Sequence, residues 1–460
     1  MLKKTAIVVA VIIGLAGLLF LSLFAPIDYT PLSELPSVRQ TYKQLDTMTY
    51  KASEGSSALK AGWARKNITP DSPINMAGYG LRGPYIDVSD SLFARTMVIE
   101  NGLTHIAIIS LDLLMFPPVI MQMLYDTLSA QGFTQNELYF TATHTHNGFG
   151  NWEKSMAGRL IFGNYLPDQA TLLVNKIVAS VLDAQQNTSN AAIAYRKIEA
   201  QEWVSNRINE EDGVVDPYLR VIEAKKTNGD RAMLVSFAAH AVNLDADIWQ
   251  LDRDYPGVLV DELEMDPKVD FAMFCAGMVA SHNLKSELPK GHKRIKEAGV
   301  QLAKKILEVE DSLVYSDNST LAHFDIEVMM PPSQMRVSCG LRLKDWAFSL
   351  FFGPLKANIK VALIGNILML GMPSDFSGEL SINAQLDQLA DVQQKELFIT
   401  SFNGNYVGYI TDDKYYAGCN HDEVKSMNWV GPHKGAYFTQ IIKSIIEMPI
   451  AGEAFERPEN

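Results

Sequence analysis

From Ala6 to Phe24 the chain runs 19 residues without a charged side chain, with Ser22 its one polar member. As an α-helix such a run rises about 28 Å, close to the roughly 30 Å of a bilayer's hydrocarbon core. A helix that is apolar all round must enter either a membrane or the centre of a large core. Lys3 and Lys4 precede the run. Basic residues stay on the cytoplasmic side, which places the chain after Phe24 outside the cytoplasm, periplasmic or extracellular. A cleavable signal has a shorter apolar stretch and a small-residue cleavage site. Here Pro26 follows Ala25, a poor site for cleavage. An uncleaved membrane anchor over residues 1–27 is therefore the preferred reading. A cleaved signal, which would release a secreted protein, and a buried core helix are the alternatives.

The rest of the chain is ordinary globular material. It is 47% apolar and 20% charged, which excludes a disordered or collagen-like chain. The net charge of −13 repels phosphate backbones, so nucleic acid is not an expected partner. Cys275, Cys339 and Cys419 are too few for a disulfide framework and match no zinc-knuckle spacing; they read as small buried hydrophobes. Residues 28–60 carry Pro31, Pro36 and a Ser-Glu-Gly-Ser-Ser string. They read as a polar tether with a short helix near Val38 to Leu45. Residues 61–448 show no linker and no internal repeat, and read as one domain, with 449–460 as a tail.

Within that domain strand and helix patterns interleave. Ala94–Glu100, His105–Leu111 and Glu137–Thr143 read as strands, the first two joined as a hairpin across Asn101-Gly102. Helices are predicted over Pro118–Gln131 and Ala170–Ala184. Strands recur at Ala191–Tyr195, Leu219–Ala224, Ala232–Ala239, Phe271–Cys275, Ala322–Val328, Ile359–Leu370 and Glu396–Ser401. Further helices are expected at Pro256–Glu264, Arg294–Val309 and Ala436–Ile446. The expectation is an α/β fold: a mixed β-sheet core with covering helices in a single large catalytic domain.

Five segments carry residues capable of chemistry. Thr143-His144-Thr145-His146-Asn147-Gly148 closes an apolar strand. Histidines two apart on a strand face the same way and can share one metal or one substrate, though a pair of exposed strand-end histidines reads the same way. His240 ends another apolar strand, where a satisfied core histidine is the alternative. Strand C-termini are also where α/β folds gather their sites. Ser281 follows the strand ending at Cys275. Asp375 lies beyond Leu370-Gly371-Met372-Pro373, as a metal ligand or a helix N-cap. Tyr406 and Tyr409 sit in a Gly-rich stretch. No HExxH, P-loop, GxSxG or GxGxxG motif is present, so the common metalloprotease, nucleotide-binding and α/β-hydrolase readings lack their signature.

Together these segments, in this order, resemble the neutral (non-lysosomal) ceramidase family. The likeness begins at Ala61-Gly62-Trp63-Ala64-Arg65-Lys66-Asn67-Ile68-Thr69-Pro70 and runs through Met76-Ala77-Gly78-Tyr79-Gly80 and Arg95-Thr96-Met97-Val98-Ile99. It takes in the distinctive Ala142-Thr143-His144-Thr145-His146-Asn147-Gly148 and extends to about Ile446. The resemblance implies a hydrolase that splits the amide of ceramide into a fatty acid and a sphingoid base, with one Zn²⁺ as cofactor. It implies His144, His240, Asp375 and Tyr409 as metal ligands, with Asp375 standing where the family has glutamate. It implies His146 as the proton carrier beside the metal, and Tyr409 and Arg95 as candidates to hold the developing oxyanion. Ser281 falls one residue from the family's active-site serine, within a string that departs from the usual one. Strand arginines are also plain salt-bridge partners, which is the other reading of Arg95.

A lipid amide partner suits a membrane anchor. Trp346-Ala347-Phe348-Ser349-Leu350-Phe351-Phe352 is an aromatic run of the kind that touches a membrane interface or lines a lipid entrance, or that fills a core. A metallohydrolase of a different amide or ester, and a non-catalytic envelope protein retaining the fold, are the competing functions. Family members commonly add a C-terminal β-sandwich, so the resemblance implies a version made of the catalytic domain alone. The sequence leaves acyl-chain preference and oligomeric state open.

Overall fold

The structure is a computed structural model that describes residues 2–54, 58–309 and 313–450. Its strands are apolar on both faces, as in Ala94–Ile99, Ile106–Leu111 and Ala232–Phe237, where every residue is buried. A strand buried on both sides must be covered on both sides. The alternation decides what covers each face. Met97, Ile99, Ile106, Ile108, Ala232 and Leu234 pack into one cluster; Ala94, Val98, Ala107 and Ile109 pack into another, and Met233 and Val235 into a third.

The main sheet has eight strands. Residues Phe271–Ala276 form one edge, followed by Arg231–Phe237, Tyr218–Lys226, Ser189–Glu199, Lys60–Asn67, Phe93–Glu100, His105–Leu111 and Leu138–Ala142. The expected hairpin pairs Ala94 with Leu111 and Glu100 with His105. The two outermost pairings are parallel and the inner ones antiparallel, so the sheet is mixed. It curls until its edges approach, with Ser110 Oγ donating to the Phe274 carbonyl at 2.6 Å.

A second sheet of five strands was not foreseen. It orders Ser53–Glu54, Thr320–Val328, Ala357–Ile364, Ile367–Gly371 and Glu396–Thr400. Its Ala362, Ile364, Met369 and Phe398 join the same cluster as Met97 and Leu234. The core is therefore two stacked sheets with helices on the outer faces. The expected single strand over Ile359–Leu370 is a hairpin, because Gly365 at φ +59 takes the left-handed conformation a tight turn needs. Outer helices include Pro118–Ser129 and Pro167–Gln186 on one side, Asp254–Met265 and His292–Glu308 beside them, and Lys434–Ile446 over the second sheet.

Residues 28–54 are docked on the domain. Helix Pro36–Leu45 buries Val38, Thr41 and Leu45 against the helix Lys434–Ile446 side of the core, and Tyr50 Oη donates to the Ile445 carbonyl at 2.7 Å. Residues 55–57 of the Ser/Gly string and 451–460 of the expected tail lie outside the described residues. The reading of three free cysteines is corrected: Cys339 and Cys419 form a disulfide with Cα atoms 5.6 Å apart, and only Cys275 is a free buried thiol. Chain folding brings together two cysteines 80 residues apart, which an odd count of three did not suggest. A disulfide belongs to an oxidising compartment.

Candidate functional site

Loops that follow one strand of each of three parallel pairs converge. His144 lies two residues past Leu138–Ala142, His240 three past Arg231–Phe237, and Asp375 four past Ile367–Gly371. Asp375–Phe376 then forms a short parallel pair with Tyr409–Ile410, which sets Asp375 beside Tyr409. Ridges of both sheets thus contribute to one spot.

Side-chain distances show how tight the gathering is. His144 Nε2 and His240 Nε2 each lie 3.4 Å from Asp375 Oδ1. His146 Nε2 is 3.3 Å from His144 Nε2, and Tyr409 Oη is 3.0 Å from His240 Nε2. The rings are oriented from behind. His144 Nδ1 meets the Leu114 carbonyl at 2.6 Å, and His240 Nδ1 meets the Val279 and His282 carbonyls at 2.8 and 3.2 Å. A carbonyl accepts only, so Nδ1 carries the hydrogen and each Nε2 lone pair faces the centre, as a metal-ligating histidine requires. Phe402 stacks on His144 with ring centres 4.2 Å apart. Tyr406 Oη donates to Asp375 Oδ2 at 2.6 Å.

Two backbone features make this crowding possible. His144 sits at φ 63, which costs a non-glycine residue on the order of 1 kcal/mol and persists where surroundings hold it. Here its N–H is held by the Leu113 carbonyl at 3.1 Å. Gly78, at φ +133, lets the His146 backbone approach so closely that a Cβ would stand 2.4 Å from its carbonyl oxygen.

Burial governs the protonation states. It pushes His144 down to about 3, against the partly restoring pull of Asp375. Burial pulls His146 well below the usual histidine range, reinforced by His144, and does the same to His240, reinforced by Arg207. Burial raises the Asp375 carboxyl, and holds the Tyr409 and Tyr406 phenols well above their usual value. All three imidazoles are therefore neutral at neutral pH.

These residues fit a metal ion. The ligand atoms of His144, His146 and His240 all lie within 4.8 Å of one another. Asp375 Oδ1 is buried with no hydrogen-bond partner, an acceptor aimed at two lone-pair nitrogens. Such an arrangement leaves a buried oxygen unsatisfied unless a cation sits among the donors.

Arg95 is not brought to this place. It lies inside the curl of the main sheet, where its Nη1 bonds Glu264 Oε1 at 2.5 Å and the Ala272 carbonyl at 2.9 Å. Its guanidinium faces the Phe93 and Phe271 rings, so it is the salt-bridge partner of the alternative reading. Ser281 is adjacent but turned away. Its hydroxyl is fully buried, 2.6 Å from Ser377 Oγ and 3.1 Å from His282 Nδ1. His282 Nε2 accepts the Asp216 N–H at 3.0 Å, so Nδ1 holds the hydrogen and cannot act as a base toward Ser281. Arg207 was missed by sequence reasoning. It is half-buried, pairs with Glu423 at 2.6 Å, and keeps Nη1 buried without a partner. Its charge bears on His144, His146, His240 and Asp375. No motif or spacing marks it.

Above the cluster opens a cavity of about 520 Å³. Leu114, Met115, Trp152, Ile161, Phe162, Phe352, Met427 and Trp429 line it, and His144, His146, Tyr406 and Tyr409 reach into it. A space this size takes a drug-sized or lipid-sized molecule with its apolar part buried.

His144 and His146 line this mostly apolar cavity, and the buried Asp375 carboxylate lies against His144 and His240. Residues 60–258 match the family described as neutral/alkaline non-lysosomal ceramidase, N-terminal. Two solved structures share the fold. The neutral ceramidase from Pseudomonas aeruginosa is 17% identical with a TM-score of 0.72, over 88% of this chain and 77% of that one. A structure described as ceramidase complexed with C2 is 16% identical with a TM-score of 0.71, over 88% of this chain and 78% of that one. No curated protein sequence matches significantly.

Proposed function

We propose that the protein is a zinc-dependent amidase that hydrolyses ceramide or a related N-acyl lipid to a fatty acid and an amine, anchored to a membrane by its N-terminal helix. The observation that carries it is the orphaned Asp375 Oδ1, 3.4 Å from the Nε2 atoms of His144 and His240, where His144 lines an apolar cavity. His144, His240, Asp375 and Tyr409 would hold the ion. When bound, Zn²⁺ supplies an activated water near neutral pH and polarises a carbonyl.

The chain's own residues do the rest. The cavity wall buries the acyl chain and excludes water from the amide. His146, beside the cluster and reaching the cavity, takes a proton from the attacking water and delivers it to the leaving nitrogen at Nε2. Arg207, with Nη1 unpartnered, holds the negative charge that builds nearby. Tyr406 fixes Asp375 through Oδ2 and leaves Oδ1 for the metal. Ser281 braces the loop behind His240 through Ser377.

The test is fatty-acid release from a panel of N-acylated lipids, run with and without chelator and with His144→Ala, beside metal analysis of each protein. The expected result is close to one zinc per wild-type chain, activity on long-chain N-acyl lipids, and loss of both on chelation or in His144→Ala. Full turnover by metal-free protein would overturn it, and release only from esters or short amides would reassign the substrate.

A further inference from the structure

The junction between the N-terminal helix and the domain is built into the rim of the cavity. Helix Leu2–Leu23 is exposed along its apolar length, with none of its most apolar stretch buried in the protein. It does not end in a free linker. Phe24–Pro26 pairs antiparallel with Leu341–Leu343. Lys344 Nζ donates to the Leu21 carbonyl at 2.7 Å, and Trp346 Nε1 to the Ser22 carbonyl at 3.1 Å. The Gln334 side chain brackets Asp28, accepting from its N–H at 2.9 Å and donating to its carbonyl at 2.8 Å.

This junction continues into the cavity wall. Leu23 and Phe24 pack in the same small cluster as Phe348, Phe352 and Trp429. Phe352 and Trp429 line the cavity, and Trp429 meets Tyr406 edge-on with centroids 5.2 Å apart. Tyr406 holds Asp375. The Cys339–Cys419 bond ties the turn of the junction sheet to the loop between Tyr409 and Asp422, both of which line the cavity. Helices Asp345–Phe352 and Met156–Phe162 pack side by side here. Trp346 and Leu350 of the first, and Met156 and Leu160 of the second, are 49–64% exposed. Apolar side chains are thus presented outward where a membrane helix leaves the domain.

We propose that the rim made by these two helices lies in the interfacial layer of the leaflet from which the N-terminal helix emerges, so that the cavity opens onto that leaflet and lipid enters from the same membrane. Continuity with the helix selects the occupant: a junction this short and this bonded cannot swing the rim away from the bilayer it crosses. Trp346, with its N–H already bonded and its ring exposed, suits that layer. The delivery of substrate rests on the lipid amidase reading above, whereas the docking of the rim rests only on its membrane anchor.

The experiment uses the full chain reconstituted in phosphatidylcholine vesicles, with a nitroxide on Leu160→Cys or, separately, on Leu350→Cys. Cys275 is buried and the other two cysteines are bonded, so labelling is selective. Both labels should collide with oxygen in preference to an aqueous nickel chelate. Intact mass of the membrane-extracted protein should retain the apolar helix. Preferential collision with the nickel chelate at both positions, or a mature N-terminus beyond Pro26, overturns the proposal. For delivery, an N-acyl lipid in the enzyme's own vesicles should be turned over about 100-fold faster than the same lipid in separate vesicles, as expected for a reactant held at high effective concentration. Equal rates overturn delivery from the same membrane. If no N-acyl lipid is hydrolysed even in detergent, the amidase reading fails while the label depths, which need no turnover, still decide the docking.

Discussion

Asp375 and Tyr409 are register partners in a parallel strand pair only two residues long. That pairing sets the Asp375 carboxylate beside the Tyr409 phenol, each at the start of its short strand. Asp375→Asn keeps the shape and an acceptor for Tyr406 but removes the charge. Metal affinity, measured by competition with a chelator, should fall by more than about 100-fold, beyond the usual cost of losing an outer-sphere contact. Unchanged affinity would remove Asp375 from the ligand set.

On the zinc reading, Tyr406 would act on the ion only through Asp375. Tyr406→Phe deletes one hydrogen bond at 2.6 Å and keeps the ring against Trp429. Metal affinity should drop by about 10–100-fold, with fold stability little changed. A loss as large as that in Asp375→Asn would mean that Tyr406 itself touches the ion.

On the zinc reading, a change at His146 would separate proton transfer from metal holding. His146→Gln should retain close to the wild-type zinc content, while kcat falls by about 10²–10⁴. Metal analysis and single-turnover assays on one preparation check this. Loss of zinc would instead make the three histidines the ligand set.

His282 reports on pH through the fold. Burial pushes it down to about 3, below the roughly 6.5 of an unfolded histidine. The unfolded chain therefore binds an extra proton as pH falls below about 6.5, and the fold loses stability there. His282→Asn removes that proton. Between pH 7 and pH 5 wild type should lose about 2 kcal/mol relative to the variant, read from denaturant unfolding at the two pH values. A constant difference would mean that His282 is protonated in the folded protein.

Reducing Cys339–Cys419, or replacing both by serine, opens a loop of 80 residues. The chain-entropy estimate for such a loop is about 4.5 kcal/mol of stability, checked by denaturation with and without the bond. Because the bond joins the junction sheet to a cavity loop, KM for lipid should also rise. No change in either quantity would mark the bond as incidental.

That His144, His240, Asp375 and Tyr409 belong together was legible through the family resemblance; the residues alone showed each of them beyond an apolar strand, and the strands lie in two different sheets. Arg207 was not legible: it follows a three-residue strand in a polar stretch, and its importance depends on which histidines fold onto it. Arg95 misled because a strand arginine looks the same whether it faces a site or an acid; Glu264, its partner, lies 169 residues away. The second sheet was hidden for a related reason. Strands apolar on both faces look alike whether a helix or another sheet covers them.

The hydrogen bond from Arg342 Nε to the Pro26 carbonyl spans 316 residues, and the strand it braces cannot form until the later segment exists. At roughly 5–20 residues per second, synthesis leaves that strand without its partner for roughly 15–60 s. Throughout that interval the chain has an apolar helix but no cavity rim to attach it to. The orientation of the mouth is thus settled late in biogenesis, when a nascent chain held by its first residues meets its own distant sequence.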